Sequence, residues 1–157
     1  MASKAKKSKS EGGVIERLSH FMADTAIVYV KTLNFHWNMV GTEFFMYHRL
    51  LEEQYKEMSE GLDELAERIR MLGGQAPGSM KEFLGLACIP ESPSNLSQER
   101  MVQQLVKDNE SLVEHAHALI EYSDEQNDQG TSDLVIERLR AHDKNAWLLR
   151  SHLEKRR

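Results

Sequence analysis

The sequence is poor in the residues that build disulfides and long loops, and it has no long hydrophobic run. Its 157 residues include one cysteine, Cys88, and three prolines. A single cysteine excludes a disulfide within the chain and fits a reducing compartment. No apolar segment follows the basic N-terminus as in a secretory signal, and none approaches the roughly 20 residues of a membrane span. We therefore expect a cytoplasmic protein with no membrane partner.

Motifs of several common enzyme classes are also missing. The chain has no GxxxxGK[ST] phosphate loop, no GxGxxG dinucleotide motif, no CxxC pair and no HExxH zinc motif. The net charge of −5 argues against a uniformly basic nucleic-acid binder. Any catalytic or binding site must therefore be sought in the geometry of the predicted helices.

The N-terminus differs in composition from the rest of the chain. Residues 1–13 contain no large apolar side chain after the initial methionine, which predicts a disordered tail ahead of one folded domain at 14–157. Residues 1–10 carry no acid, and their basic side chains are Lys4, Lys6, Lys7 and Lys9.

Hydrophobic residues recur at spacings of three and four in the folded part, which predicts four long helices. The first runs from Val14 to about Met39 and ends before Gly41, a residue that favours helix C-termini. The second begins after Thr42, a candidate N-cap, and ends at Gly73-Gly74.

All three prolines fall in the connection that follows, where Ser79 and Glu82 form a capping-box pattern for a short helix. A third long helix is predicted from about Ser97, and a fourth begins near Asp128. Four long helices with a long crossover after the second predict an all-α, ferritin-like four-helix bundle. In the crossover, Cys88 is expected to be a small buried residue.

One flank of the second helix is acidic. Glu52, Asp63 and Glu67 lie roughly 100–160° around the helix from its apolar stripe, and Phe45 shares this flank. Asp63 and Glu67 lie on neighbouring turns, and two negative charges so placed destabilise a helix unless a cation balances them. Either the flank is a solvated surface or it binds metal and is covered, as the exposed aromatic suggests.

Two histidines flank the first turn between helices. His36 lies near the end of the first helix and His48 in the second turn of the next, so a tight turn at Gly41 would bring both imidazoles together. Each could instead be an ordinary core histidine. If they are ligands, imidazole and carboxylate together suit iron among other divalent metals.

A distance argument limits how these groups can meet. His48 and Asp63 are 15 residues apart on one helix, hence roughly 22 Å along its axis, whereas metal–ligand bonds are near 2 Å. A shared site therefore requires two antiparallel subunits about a two-fold axis. A ferritin-type site within one chain needs two Glu-x-x-His motifs, and the sequence offers only Glu114 with His117.

The segment from 34 to 73 closely resembles the signature of the Dps family (DNA-binding protein from starved cells). The resemblance extends over the whole bundle, including His142-Asp143-Lys144. Its fixed positions are His36, Trp37, Gly41, His48, Glu52, Asp63, Glu64, Ala66, Glu67 and Arg68. The family often has Asp where this chain has Glu52.

The resemblance implies a homo-dodecameric shell that oxidises Fe²⁺, usually with hydrogen peroxide in preference to oxygen, and stores ferric iron. It implies ferroxidase centres at the two-fold interfaces, where His36 and His48 of one subunit face the carboxylates of Glu52, Asp63 and Glu67 of the other, beside Trp37. The same shells protect DNA from oxidative damage.

The family also has acidic iron-entry pores near the start of the fourth helix, a position that Asp133 matches well and Asp128 less closely. For both residues, helix capping and first-turn charge are the alternative.

The lysine-rich tail would let twelve subunits bind DNA non-specifically through phosphate contacts, which implies a nucleoid association. The competing function is a nucleoid-compacting protein with little iron oxidation. A purely structural bundle without metal is a third alternative.

Overall fold

A computed structural model describes residues 12–154 of the chain. The long helices are α1 (Val14–Asn38), α2 (Phe44–Met71), α4 (Gln98–Glu125) and α5 (Gln129–Leu153), and a short helix, α3 (Met80–Leu86), lies in the crossover. The all-α, ferritin-like architecture with a short helix after the second long one is confirmed. None of the helices within residues 12–154 is both long and apolar enough to cross a membrane.

The helix starts follow the capping residues. Ser79 forms the predicted capping box with Glu82 at the start of α3, Ser97 accepts from the backbone N–H of Arg100 at the start of α4, and Asp128 caps α5. The prediction that Thr42 caps α2 is wrong. Glu43 holds the N-cap position without a side-chain cap bond, because the chain re-enters the helix directly from the turn at Gly41.

The crossover runs along the length of α1 on its way to α4. His20 Nδ1 donates to the Leu86 carbonyl, and near the other end of α1 the Asn34 amide donates to Ser92 O. Between them, both Cys88 N–H and Ile89 N–H donate to Oδ1 of the fully buried Asp24. This route returns the chain to the end of the bundle from which α4 must start.

The core consists of two apolar clusters with polar side chains between them. One cluster includes Leu18, Met58 and Leu112, and the other includes Phe35 and Leu149. The polar residues between the clusters form two cross-helix pairs, Lys31 with Asp108 at 2.7 Å and His142 with Asn109 at 2.9 Å.

Candidate metal centre

His36 and His48 lie against each other at the end of the α1–α2 hairpin. Their rings stack with centroids 3.8 Å apart and an interplanar angle of 12°. His36 Nδ1 lies 2.8 Å from the main-chain oxygen of His48, and His48 Nδ1 lies 2.8 Å from that of His36. The prediction that the turn at Gly41 brings these imidazoles together agrees with this geometry.

The reciprocal contacts determine the tautomer of both rings. A carbonyl oxygen only accepts, so each Nδ1 must carry the proton and donate it. In the neutral rings, Nε2 then presents a lone pair. Holding the far nitrogen with a hydrogen bond is how proteins orient a metal-binding imidazole. The pair therefore offers two oriented nitrogen ligands at one end of the hairpin.

Aromatic side chains surround this pair. Tyr55 meets the His36 ring edge-on at 5.1 Å, and Phe44 lies 5.0 Å from His48. Trp37, which was predicted beside the centre, follows His36 directly and is 65% exposed. His36 itself is only 6% exposed, so the imidazole pair lies at the boundary between core and surface.

Glu52 lies one turn beyond His48, and its carboxylate has a partner in the chain. Lys56 Nζ donates to Glu52 Oε1 at 2.6 Å. The Lys56 hydrogen bond and charge, helped by the more distant Arg49 and His36, lower the pKa of Glu52 below its ordinary value. Glu52 therefore offers an anionic carboxylate whose charge is balanced by Lys56.

The two remaining predicted ligands are at the far end of α2. Asp63 and Glu67 are exposed, and neither forms a hydrogen bond or an ion pair with any other side chain in residues 12–154. In that same range, no three His, Cys, Asp or Glu residues are grouped so that they could hold one metal ion. One chain therefore brings His36 and His48 together, places Glu52 one helical turn beyond His48, and leaves Asp63 and Glu67 at the far end of α2.

The surface formed by α1, α3 and the middle of α2 is apolar and open. A cavity of about 300 Å³ lies between α1, α2 and α3, lined by Tyr29, Val30, Leu62, Phe83 and Leu84 among others. Nearer the start of α2, Phe45 on the acidic flank is 70% exposed. An apolar surface of this kind typically binds another protein surface.

Near the start of α5, the two predicted pore residues differ in their surroundings. The Asp128 carboxylate accepts from Thr131 N–H and Oγ1 and from Arg68 Nη2 at 2.6 Å. These bonds lower its pKa, although partial burial acts in the opposite direction. Asp133 lies exposed one turn later. The capping alternative for Asp128 thus has a direct structural basis, and Asp133 is the freer carboxylate.

Glu114 and His117, the candidate pair for a ferritin-type site, both lie exposed on α4. They therefore do not point into the bundle interior. The four tail lysines, Lys4, Lys6, Lys7 and Lys9, lie outside the described residues.

Sequence analysis missed Lys56 and Tyr55 as neighbours of the site. The helical spacing contained the signal for both, since Lys56 follows Glu52 by four residues and Tyr55 lies on the stripe that follows His48. Cys88 was expected to be buried and is exposed. Its backbone N–H is the group that the crossover turns inward, towards Asp24, which leaves the thiol on the outside.

The chain matches known proteins over almost its full length. A family model for the ferritin-like domain matches residues 15–157. An uncharacterised low temperature-induced protein of Nostoc is 41% identical over 144 residues, covering 90% of this chain and 80% of the relative. The DNA protection during starvation protein 2 of Bacillus anthracis is 36% identical over 140 residues, covering 89% of this chain and 96% of the relative.

Solved structures agree with this match. A crystal structure of a Dps protein from Bacillus brevis superposes with a TM-score of 0.87 at 34% identity, covering 90% of this chain and 95% of that one. Dps from Listeria innocua soaked with cobalt superposes with a TM-score of 0.89 at 31% identity, covering 94% of this chain and 96% of that one.

Proposed function

Since this chain belongs to the Dps family of the ferritin-like superfamily, a DNA-protecting and iron-handling group of mini-ferritins, we propose that it is a ferroxidase. It oxidises Fe²⁺ at centres shared between two subunits and stores the ferric product inside a homo-dodecameric shell. Iron is its substrate and cargo. The preferred oxidant in this proposal is hydrogen peroxide, with oxygen as the slower alternative.

The arrangement of His36 and His48 carries the proposal. Both rings present Nε2 towards the surface because both Nδ1 atoms are held by backbone carbonyls. In the proposed dimer, α2 of the partner lies antiparallel, so that Asp63 and Glu67 of the partner subunit face the imidazoles of the first. Glu52 completes a mixed nitrogen and oxygen ligand set, which suits iron.

The apolar cavity beside α3 supports the same dimer. It touches α2 at Leu62, next to Asp63, and follows α1 as far as Asn34, two residues before His36, so a partner that completes both centres would also cover the cavity. Burial of Val30 and Leu84, which are 42% and 53% exposed in one chain, would contribute about 25 cal/mol for each Å² of apolar surface removed from water. Metal binding and dimer formation therefore use the same surface.

The chemistry is a balanced two-electron step. Hydrogen peroxide takes one electron from each of two Fe²⁺ ions, its O–O bond breaks, and with two protons it becomes two water molecules. Taking both electrons at one centre avoids release of hydroxyl radicals. The carboxylates of Glu52, Asp63 and Glu67 lower the net charge of the Fe³⁺ products and so favour oxidation. DNA is protected because peroxide and Fe²⁺ are consumed together.

Two further parts of the proposal concern the path of iron and the DNA. Asp133 lines the iron-entry pore, and Asp128 contributes as the cap that orders the first turn of α5. Lys4, Lys6, Lys7 and Lys9 bind DNA phosphates without reading sequence. The protein acts in the cytoplasm, in association with the nucleoid.

The test is iron oxidation by the purified protein. Fe²⁺ is added without oxygen, hydrogen peroxide is titrated in, and size exclusion follows ferric absorbance together with protein mass. We expect rapid oxidation with iron co-eluting in a shell of about twelve subunits, and slow oxidation in the double variant His36→Ala with Asp63→Ala. A normal shell that oxidises iron no faster than buffer would refute the proposal and leave DNA compaction as the function.

A further inference from the structure

Lys56 occupies a special place beside the proposed centre. Its ammonium group lies 2.6 Å from Glu52 Oε1, one helical turn further along α2 than the ligand itself. Among the proposed ligands at the imidazole end of α2, which are His36, His48 and Glu52, Glu52 is the carboxylate. The negative charge of Glu52, which would attract a metal ion, is therefore already balanced by a lysine of the same chain.

The ion pair between Lys56 and Glu52 can also break readily. The Lys56 side chain is 63% exposed and that of Glu52 is 33% exposed. Exposed ion pairs four residues apart on a helix are weak, because water screens them and the long side chains lose rotamer freedom. Lys56 can therefore leave Glu52 without disturbing the core, which distinguishes it from the buried pair of Lys31 with Asp108.

We propose that the Lys56 ammonium group occupies the position beside Glu52 that a metal ion would take. One of the two metal positions in each centre then fills only when Lys56 moves away from Glu52. This rests on the proposed function, since it assumes that Glu52 is a ligand. The consequence is stepwise loading. A first ion binds to the free imidazole and carboxylate groups, and a second ion must compete with the lysine for Glu52.

The Coulomb energy between Lys56 and the metal ion sets the expected change in metal affinity. Removing one positive charge from beside a divalent ion in a water-like dielectric strengthens binding about tenfold. Lys56→Met removes the charge and keeps the apolar stem, whereas Lys56→Arg keeps the charge. Lys107→Met is the matched control, because Lys107 is an exposed lysine on α4.

The experiment is calorimetric titration of the full-length, assembled protein with Zn²⁺ in place of Fe²⁺, which removes oxidation from the readout. We expect a tight and a weak step in the wild type and in Lys56→Arg and Lys107→Met. In Lys56→Met the weak step should tighten about tenfold, and the difference from wild type should shrink as salt screens the charge. If the weak step of the wild type is too weak to detect, it should become measurable in Lys56→Met.

Two results would separate the possible failures. Identical titrations of the wild type and Lys56→Met overturn the role of Lys56, and the ferroxidase proposal stands if His36→Ala with Asp63→Ala abolishes tight Zn²⁺ binding. Should that double variant bind Zn²⁺ as the wild type does, the centre is not where the proposed function requires it, and both proposals fail.

Discussion

Three histidines of this chain illustrate how a local environment changes one side chain's chemistry. His36 and His48 direct their Nδ1 protons to backbone carbonyls near the surface and keep Nε2 available. His142 is fully buried between α4 and α5, where Nδ1 contacts Asn109 Oδ1 and Nε2 has no hydrogen-bond partner. Burial, aided by the positive charge of Arg138, lowers the pKa of His142 to about 3.

The lowered pKa predicts acid destabilisation through His142. Unfolding exposes the ring, whose pKa then returns to its ordinary value of 6.5. The unfolded state therefore binds more protons at all pH values between these two. Stability is unaffected by this group above pH 6.5 and falls by up to about 1.4 kcal/mol per subunit for each pH unit below it, until pH 3.

The variant His142→Gln isolates this effect, since its amide can still donate to Asn109 but does not titrate. We expect the melting temperature of the wild type to fall more steeply than that of the variant between pH 6.5 and pH 4.5. Parallel pH profiles for the two proteins would show that His142 is not the titrating group.

At the residue level, the sequence predicted where the imidazoles of His36 and His48 lie, but it did not predict which charged side chains are buried. Spacing alone brings His36 and His48 to the same end of a helical hairpin. Nothing in the spacing indicates that each ring bonds to the other's backbone, because this depends on how the turn at Gly41 closes. The burial of Asp24 and Lys31 on α1 was not predicted, because it depends on partners that lie on another helix, α4.

At the level of elements, the crossover depends on Asp24. Its Oδ1 accepts from two successive backbone N–H groups of the crossover, and its Oδ2 lies 3.0 Å from His115 Nδ1 on α4. One carboxylate therefore joins α1, the crossover and α4. Because α3 immediately precedes this anchor, Asp24 also positions the apolar side chains that line the proposed subunit interface.

Removing the Asp24 carboxylate should destabilise the chain strongly. Asp24→Ala leaves the N–H groups of Cys88 and Ile89 without their acceptor, and we expect a loss of about 3 kcal/mol in the free energy of unfolding. Asp24→Asn keeps an oxygen for both N–H groups and should lose about 1 kcal/mol. Thermal unfolding of both variants checks this. Equal losses would show that charge, and not backbone bonding, is the contribution of Asp24.

Whether a helix start could be predicted depends on which atoms cap it. The helix starts at Ser79, near Ser97 and near Asp128 were predicted because an acceptor side chain before an apolar run identifies a helix start in sequence. Thr42 matched the same pattern and failed. Gly41 has a φ of 145° and closes a turn in which Phe44 N–H bonds back to the Gly41 carbonyl, so backbone atoms take the place of a side-chain cap.

At the level of the whole molecule, the lysine-rich tail is the candidate contact with DNA. Replacing Lys4, Lys6, Lys7 and Lys9 with glutamine removes four charges from each subunit and should leave the bundle unchanged. We expect DNA affinity to fall and its dependence on salt to weaken, because fewer counterions are released on binding. Gel shifts at several salt concentrations measure both. Unchanged binding would move the DNA contact to the bundle itself.

The sequence alone leads to the proposal of a shared centre, whereas it does not indicate the number of subunits. The roughly 22 Å between His48 and Asp63 follows from the rise of a helix and requires a second chain. The angle between neighbouring dimers depends on the shape of whole surfaces, so twelve subunits enter only through the family. The ion pair between Lys56 and Glu52 was also not predicted, because it depends on which rotamer the lysine adopts.

The most direct test of the shared centre combines two inactive variants. Subunits carrying His36→Ala and subunits carrying Asp63→Ala are co-expressed in equal amounts and purified as mixed shells. If each centre takes its imidazoles from one chain and its carboxylates from the other, random pairing restores about a quarter of the centres. We predict about a quarter of the wild-type rate of Fe²⁺ oxidation in mixed shells, and almost none in either pure variant. Mixed shells as inactive as the pure variants would contradict a centre shared between subunits.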